Sequence, residues 1–151
     1  EAQTHGVVQH VLEVLMEKDE LLGHLVLLQP TSPLRNAIHI DECAKIYFSS
    51  NVASVVSVTE CVHHPYKTMT DVNGMLTPMF ETRFLEMRRQ NLPKAYRTNG
   101  ALDIISCELF LQKYEFCVPP VAPYFMSAED SVDIDSATDL RFAKFLMEKK
   151  D

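Results

Sequence analysis

The sequence has only 4 glycines, Gly6, Gly23, Gly74 and Gly100, and the closest two are seventeen positions apart. That spacing excludes a G-x-G-x-x-G dinucleotide loop and a G-x-x-x-x-G-K-[ST] phosphate loop within the chain. If the protein handles a nucleotide phosphate, the cradle is expected elsewhere. The 4 cysteines, Cys43, Cys61, Cys107 and Cys117, contain no C-x-x-C pair. A chain of 151 residues needs no disulfide staples, so they read first as small buried side chains in a reducing compartment. The 6 histidines include His63-His64 but no H-x-x-x-H, which gives little support to a histidine-based metal site. Positive charge is also scarce: 14 Lys and Arg against 21 Asp and Glu leave a net charge of −7. This balance argues against a nucleic-acid binder, which carries a basic stripe. It still allows a local basic pocket around an anionic small molecule. No apolar run approaches the ~20 residues of a membrane helix; the longest is Leu25–Leu28. No signal-peptide pattern opens the chain, and a cytoplasmic protein is expected. The first residue is Glu1 rather than Met, so an incomplete or processed chain is expected.

What is present is ordinary for one globular domain: 46% hydrophobic and 23% charged residues. Val8, Val11, Leu12 and Leu15 recur at helical spacing and predict an amphipathic helix over roughly 4–20. Leu25-Val26-Leu27-Leu28 suits a strand buried on both faces, as in a parallel sheet. Asn36 is a candidate cap for a second helix with Ile40, Cys43, Ala44 and Tyr47 on one face. Ala53–Thr59 is β-branched and reads as a second strand. The stretch 62–91 is irregular, with a turn at Asn73-Gly74 and a short helix at 81–90. A third strand is expected at Leu102–Ile105 and a short helix at 107–113. Val121–Met126 is a fourth strand, placed on an edge because Pro119, Pro120 and Pro123 crowd it. Ser136 caps a last helix at 137–149, with Asp139 in the capping-box position. Strands alternating with helices imply an α/β fold with a mainly parallel sheet. Ligands then gather at the carboxyl ends of its strands.

Four segments hold residues that suit chemistry. Gln29-Pro30-Thr31-Ser32-Pro33-Leu34-Arg35 follows a buried strand. Gln29 offers a donor and an acceptor, and two prolines stiffen the loop; a plain strand-to-helix loop has the same composition. In Ser131-Val132-Asp133-Ile134-Asp135, an extended backbone turns both carboxylates to one side. Two like charges there call for a cation, and Mg²⁺ prefers such oxygens. Equally, Asp135 can simply precede the last helix, where negative charge is favourable. Lys67, Arg88, Arg89 and Arg97 are cations able to converge on an anion, with Arg88 read as solvated surface. Asn99-Gly100 is either a tight turn or a place where backbone approaches a ligand closely.

Taken together, LLQPTSPLR (27–35), SVVSVTE with HHPYK (54–67), RQNLPKAYRTNGA (89–101) and SVDIDSATDL (131–140) resemble the CMP-sialic acid synthetases, or N-acylneuraminate cytidylyltransferases, in their bacterial form. The segments keep the family's order over nearly the whole chain. The resemblance implies a three-layer, Rossmann-like nucleotidyltransferase sheet. In that family an opening strand and basic I-P-A-R-x-G-S-K loop wrap the CTP phosphates. That loop has no counterpart here, so the expectation is an N-terminally truncated fold. Residues 1–151 would be the C-terminal part of one cytidylyltransferase domain, with a dimerisation excursion at about 68–98 and a homodimer as the assembly.

The same resemblance implies roles for particular residues. Gln29 and Lys67 match contacts to the sugar acid. Arg89 and Arg97 match arginines of the active-site cleft, near the dimer interface. Asn99 belongs to the matched N-G-A substrate motif. Phe116 matches an aromatic lining the sugar pocket. Asp133 and Asp135 match the D-x-D pair that binds Mg²⁺; Asp135 is also the candidate for easing the proton from the attacking hydroxyl, and Arg97 is the other catalytic candidate. The implied reaction joins CTP to a nine-carbon nonulosonic acid, without nucleic acid or membrane as partners. Two positions depart from the pattern: Asp103 stands where the family has a sugar-facing tyrosine, and Cys117 where a second aromatic is common. Both point to a related sugar, such as legionaminic or pseudaminic acid. A non-catalytic binding or dimerisation module built on this fold is the competing expectation.

Overall fold

The computed structural model describes residues 4–20 and 23–149. The first helix, α1 (Thr4–Glu17), buries Leu12, and the chain turns at Asp19 with φ 57°. Strand β1 (His24–Leu27) follows. Helix α2 (Ala37–Ser49) starts at Asn36, whose side chain accepts from the His39 backbone N–H while the His39 ring accepts from the Asn36 N–H. That reciprocal cap satisfies donors that a helix start otherwise leaves open. Helix α2 presents Cys43 and Tyr47 to the core, as the spacing of its apolar residues requires.

Strand β2 (Ser54–Glu60) is buried along nearly its whole length. The chain then leaves the sheet. A single 3₁₀ turn at Pro65–Lys67 leads into a separate hairpin, β3 (Met69–Val72) with β4 (Met75–Pro78). Asn73 and Gly74 both have positive φ at its tip, the backbone that an Asn-Gly hairpin turn favours. The helix expected at 81–90 is shorter: α3 covers Arg83–Glu86, and a 3₁₀ turn follows at Arg89–Asn91. Strand β5 (Tyr96–Ser106) returns to the sheet, and α4 (Cys107–Lys113), β6 (Val121–Phe125) and α5 (Ala137–Glu148) complete the fold. Helix α5 has the expected capping box between Ser136 and Asp139.

The main sheet has the order β1-β5-β2-β6. Its pairings correct the expectation of a mainly parallel sheet. Both β1 and β2 pair with β5 antiparallel, and only β2 with β6 is parallel. Strands β1, β2 and β6 share one direction. The reversed strand β5 lies between β1 and β2, so it makes two of the three pairings antiparallel. The fold is therefore mixed α/β. As expected, β6 is an edge strand, and it carries Pro123.

Two cores form on opposite faces of this sheet. On one, Cys43 and Tyr47 of α2 pack against Val55, Leu102, Ile104 and Tyr124. On the other, Leu12 of α1 and Phe110 of α4 pack against Ile105, Phe116 and Val118. The consecutive residues Ile104 and Ile105 enter different cores, as the two-residue period of a strand dictates.

The β2–β5 ladder is interrupted where it matters for the site. Val56 pairs with Asp103, but Val58 pairs with Thr98. Residues 99–102 of β5 thus stand opposite Ser57 alone. Ser57 substitutes for the lost ladder bonds: its Oγ accepts from the Leu102 N–H at 2.8 Å and donates to Asn99 Oδ1 at 2.5 Å.

Candidate functional site

The bulge in β5 and the loop after β1 meet. Gly100 has φ 69°, and a Cβ built there would lie 3.2 Å from Gln29 Oε1. The close approach expected of Asn99-Gly100 is therefore to Gln29 of the same chain. Arg35 ties the loop to β5: its Nη1 donates to the Gln29 carbonyl at 3.0 Å and to the Ala101 carbonyl at 2.7 Å. Partial burial lowers the Arg35 pKa from its ordinary value. Thus QPTSPLR is a braced loop, with its glutamine held over the β5 bulge.

Asn99 is only 2% exposed. Its Oδ1 accepts from Ser57 and from the Ala101 N–H at 3.2 Å, and its Nδ2 donates to Ser131 Oγ at 2.8 Å. Both ends of the amide are engaged inside the protein. Asn99 links the bulge to the segment that carries the carboxylate pair, which is a positioning task and leaves no free polar atom aimed at a substrate. A second tie holds the same segment, from the Ile134 N–H to the Thr31 carbonyl at 2.9 Å. Of the residues that build this arrangement, Ser57 carried no sequence expectation, and Ser131 and Arg35 stood only as members of their segments. The one available signal was a pair of serines, Ser54 and Ser57, inside an otherwise valine-rich strand.

Asp133, Asp135 and Arg97 line a single cleft of about 420 Å³, together with Ser131, Asp139 and Phe142. Arg97 is exposed and has no ion-pair partner among the described residues. Asp133 Oδ1 is buried without a hydrogen-bond partner, whereas Asp135 is exposed. Asp139 is engaged in the helix cap: it accepts from the Ser136 hydroxyl and from the Ser136 and Asp135 backbone N–H groups. Those bonds, the hydroxyl first, lower its pKa.

The donor set suits Mg²⁺ in a limited way. Among the described residues no three metal-ligating side chains converge. Two carboxylates, one with an orphaned buried oxygen, offer a partial shell. Mg²⁺ tolerates this because water and substrate phosphate commonly complete its octahedron.

The remaining candidates lie apart from this cleft. Arg89 lines a different one, of about 450 Å³, with Glu60, Cys61, His64 and Lys94. Its Nη2 donates to the Cys61 carbonyl at 2.9 Å and lies 3.6 Å from Glu60. Lys67 is in the excursion and donates to the Leu85 carbonyl at 2.9 Å. Phe116 belongs to the core that α1 and α4 cover. It is 9% exposed and packs in the core, its ring 4.7 Å from Phe110 and 4.8 Å from His5.

Asp103 stands on β5 directly opposite Leu27 of β1 and Val56 of β2. Burial pushes its carboxyl up to about 6. Cys43 is pushed up to about 12, by burial first and by the charge of Asp103 second, so it is an inert core thiol.

The fold and this cleft define a mixed α/β domain with a carboxylate pair, an exposed arginine and a braced glutamine loop. No family model matches the chain. Individual proteins do. The N-acylneuraminate cytidylyltransferase of Streptococcus agalactiae serotype III is 36% identical over 116 residues, 76% of this chain and 28% of that protein. The enzyme of the same name from Escherichia coli O18:K1:H7 is 28% identical over 151 residues, 99% of this chain and 35% of that protein. The pseudaminic acid cytidylyltransferase of Campylobacter jejuni serotype O:2 is 26% identical over 146 residues, 96% of this chain and 62% of that protein. The chain is thus a relative of the N-acylneuraminate cytidylyltransferases and of the pseudaminic acid enzymes, as its motifs suggested. It spans about a third or less of the N-acylneuraminate cytidylyltransferases it matches. No helix among the described residues is long and apolar enough to cross a membrane.

Proposed function

We propose that this chain carries the sugar-acid and metal portion of a cytidylyltransferase. The activity joins CTP to a nine-carbon nonulosonic acid, giving the CMP-sugar and pyrophosphate. The observation that supports it most is the cleft that Arg97 lines together with Asp133 and Asp135, in a chain related to such enzymes. In this reading the anomeric hydroxyl of the sugar acid attacks the α-phosphorus of CTP. Catalysis of such a transfer is mainly positioning and charge stabilisation. Asp133 and Asp135 would hold Mg²⁺, which when bound screens the triphosphate and polarises the phosphorus. Gln29 orients the sugar acid, Arg97 meets the developing negative charge, and exposed Asp135 takes the proton from the attacking hydroxyl.

Arg89 and Lys67 are assigned to the same chemistry through a homodimer. They lie away from the carboxylate cleft in their own chain, so a second copy brings them to it. The hairpin β3–β4 is the element that reaches across. It exposes Met69, Val72, Met75 and Leu76, more apolar surface than an isolated hairpin keeps in water.

The test is pyrophosphate release from CTP, Mg²⁺ and a nonulosonic acid, with this chain and with the full-length polypeptide. Release that depends on both substrates supports the reading. No release from either form supports a non-catalytic binding or dimerisation module. Losing one charge-assisted contact costs about 1.5–3 kcal/mol. Lys67→Ala or Arg97→Ala should therefore lower turnover by roughly ten- to a hundredfold.

A further inference from the structure

Of the adjacent pair His63-His64, only the second is buried, at 8% exposed, and both nitrogens of its ring are engaged. Nδ1 accepts from the Tyr66 backbone N–H at 3.1 Å, and Nε2 lies 2.8 Å from the Pro93 carbonyl. A backbone N–H only donates and a carbonyl only accepts, so the two bonds together place the ring proton on Nε2. The ring joins two limbs of the chain. The excursion leaves the main sheet after Glu60 and returns at Tyr96, its cross-strand partner, with the Cys61 N–H bonded to the Ala95 carbonyl at the base. His64 is on the outgoing limb, where it caps the 3₁₀ turn Pro65–Lys67. Pro93 is on the returning limb, just after the turn Arg89–Asn91. The same ring meets Tyr66 edge-on at 5.0 Å and lines the cleft of about 450 Å³ that also contains Arg89 and Lys94.

Resting on the function proposed above, in which Lys67 and Arg89 act together in a second copy's cleft, we infer that His64 is a positioning residue for that pair. Its ring clasps the limb that carries Lys67 to the limb that carries Arg89, so the two cations keep one spacing. The Lys67 turn has bonds of its own: the Lys67 N–H to the His64 carbonyl, and the Thr68 N–H and hydroxyl to the Pro65 carbonyl. It therefore holds its shape without the ring, and its tie to the returning limb is the His64–Pro93 bond. Two cations grip one anion best when their separation is set before the ligand arrives, because less freedom is then lost on binding. The two cores of the sheet are built from residues outside 61–95. The clasp thus orders the excursion and not the sheet beneath it.

The experiment uses the full-length polypeptide and two variants that each keep half of the ring's bonding. His64→Asn keeps an acceptor for the Tyr66 N–H and is too short to reach Pro93. His64→Gln places an N–H near the position of Nε2 and keeps the tie to Pro93. KM and kcat are measured for CTP and for N-acetylneuraminic, pseudaminic and N,N′-diacetyllegionaminic acids with Mg²⁺, with ligand-free thermal melts alongside. His64→Asn should raise KM for the preferred sugar acid roughly tenfold, with kcat changing less. KM for CTP and the melting temperature should stay with the parent. His64→Gln should restore KM for the sugar acid towards the parental value. The ring-nitrogen resonances of His64 in the parent should show the proton on Nε2. A parental KM in His64→Asn, an equal loss in both variants that tracks their melting, or a proton on Nδ1 overturns the assignment of His64 and leaves the cytidylyltransferase reading standing. An inactive parent that binds none of the three sugars overturns that reading itself, and this inference with it.

Discussion

The side-chain amide of Gln29 rests against the α-carbon of Gly100, so that any β-carbon at residue 100 would stand 3.2 Å from Gln29 Oε1. Residue 100 also has φ 69°, the left-handed region where a non-glycine residue costs about 1–2 kcal/mol. Gly100→Ala should therefore lower stability by about 1–2 kcal/mol and push Gln29 off its seat, raising KM for the sugar acid more than KM for CTP. Urea unfolding reads the first effect and steady-state kinetics the second. An unchanged midpoint with unchanged kinetics would sink the idea that Gln29 needs this glycine.

Asn99 holds three groups around the bulge: the Ser57 hydroxyl, the Ala101 N–H and the Ser131 hydroxyl. Removing a buried partner strands the groups it served, at about 1–3 kcal/mol each before relaxation. Asn99→Ala should lower stability by at least about 2 kcal/mol. An exposed control such as Thr70→Ala should stay within about 0.5 kcal/mol of the parent. Chemical denaturation of both proteins checks the contrast.

The carboxylate pair can be tested without turnover. A ligand that binds only the folded state raises its stability in proportion to RT ln(1 + [L]/Kd). Added Mg²⁺ should therefore raise the melting temperature of the parent. That rise should be abolished in Asp133→Asn and reduced in Asp135→Asn. A Mg²⁺-induced shift that survives in Asp133→Asn would place the ion elsewhere.

Burial holds the Asp103 carboxyl at about 6, against an ordinary 3.8. Between those values the folded state binds more protons than the unfolded one. Stability therefore declines as pH rises from about 4 to about 6, by an amount on the order of 3 kcal/mol. Asp103→Asn should remove this decline. It should match the parent near pH 4 and exceed it above pH 6. Melting curves across that range decide it; a constant gap between the two proteins would mean that Asp103 does not titrate as described.

The exposed hairpin makes a prediction about assembly. Met75 and Leu76 are 70% and 69% exposed and lie beside the Asn73-Gly74 tip. Placing a charge there, as in Leu76→Glu, should convert a dimer to monomers by sedimentation, with the circular dichroism spectrum preserved. Activity should fall with the dimer if Lys67 and Arg89 act across it. A wild-type protein that sediments as a monomer at assay concentration would remove the basis for that assignment.

Much of this molecule was legible because much of it is local. The caps at Asn36 and Ser136 depend on residues three positions apart, and both formed as the sequence suggested. The Asn73-Gly74 turn likewise depends on two residues and their tolerance of positive φ. Phe116 shows the limit: its ring packs on Phe110, close by in the chain, and on His5, far from it, and only the fold brings that second partner near. Asn99 shows another, because an exposed ligand contact and a buried staple have the same side chain.

The sequence by itself determined where the capped helices α2 and α5 begin, where the Asn73-Gly74 turn falls, and which segments carry the family motifs. These follow from spacing, capping and turn chemistry within a few residues. It did not give the length of β5 (Tyr96–Ser106) or the half-exposed state of β1, for which burial on both faces is expected. Only the tertiary structure decided that β5 runs against its neighbours, since periodicity encodes the faces of a strand and not its direction. It alone showed that Arg97 shares a cleft with Asp133 and Asp135 while Arg89 and Lys67 do not. It alone left Asp103 without a hydrogen-bond or ion-pair partner among the described residues. Charge and hydrogen-bonding capacity are properties of residues; whether they are matched depends on what the fold brings to within a few ångströms.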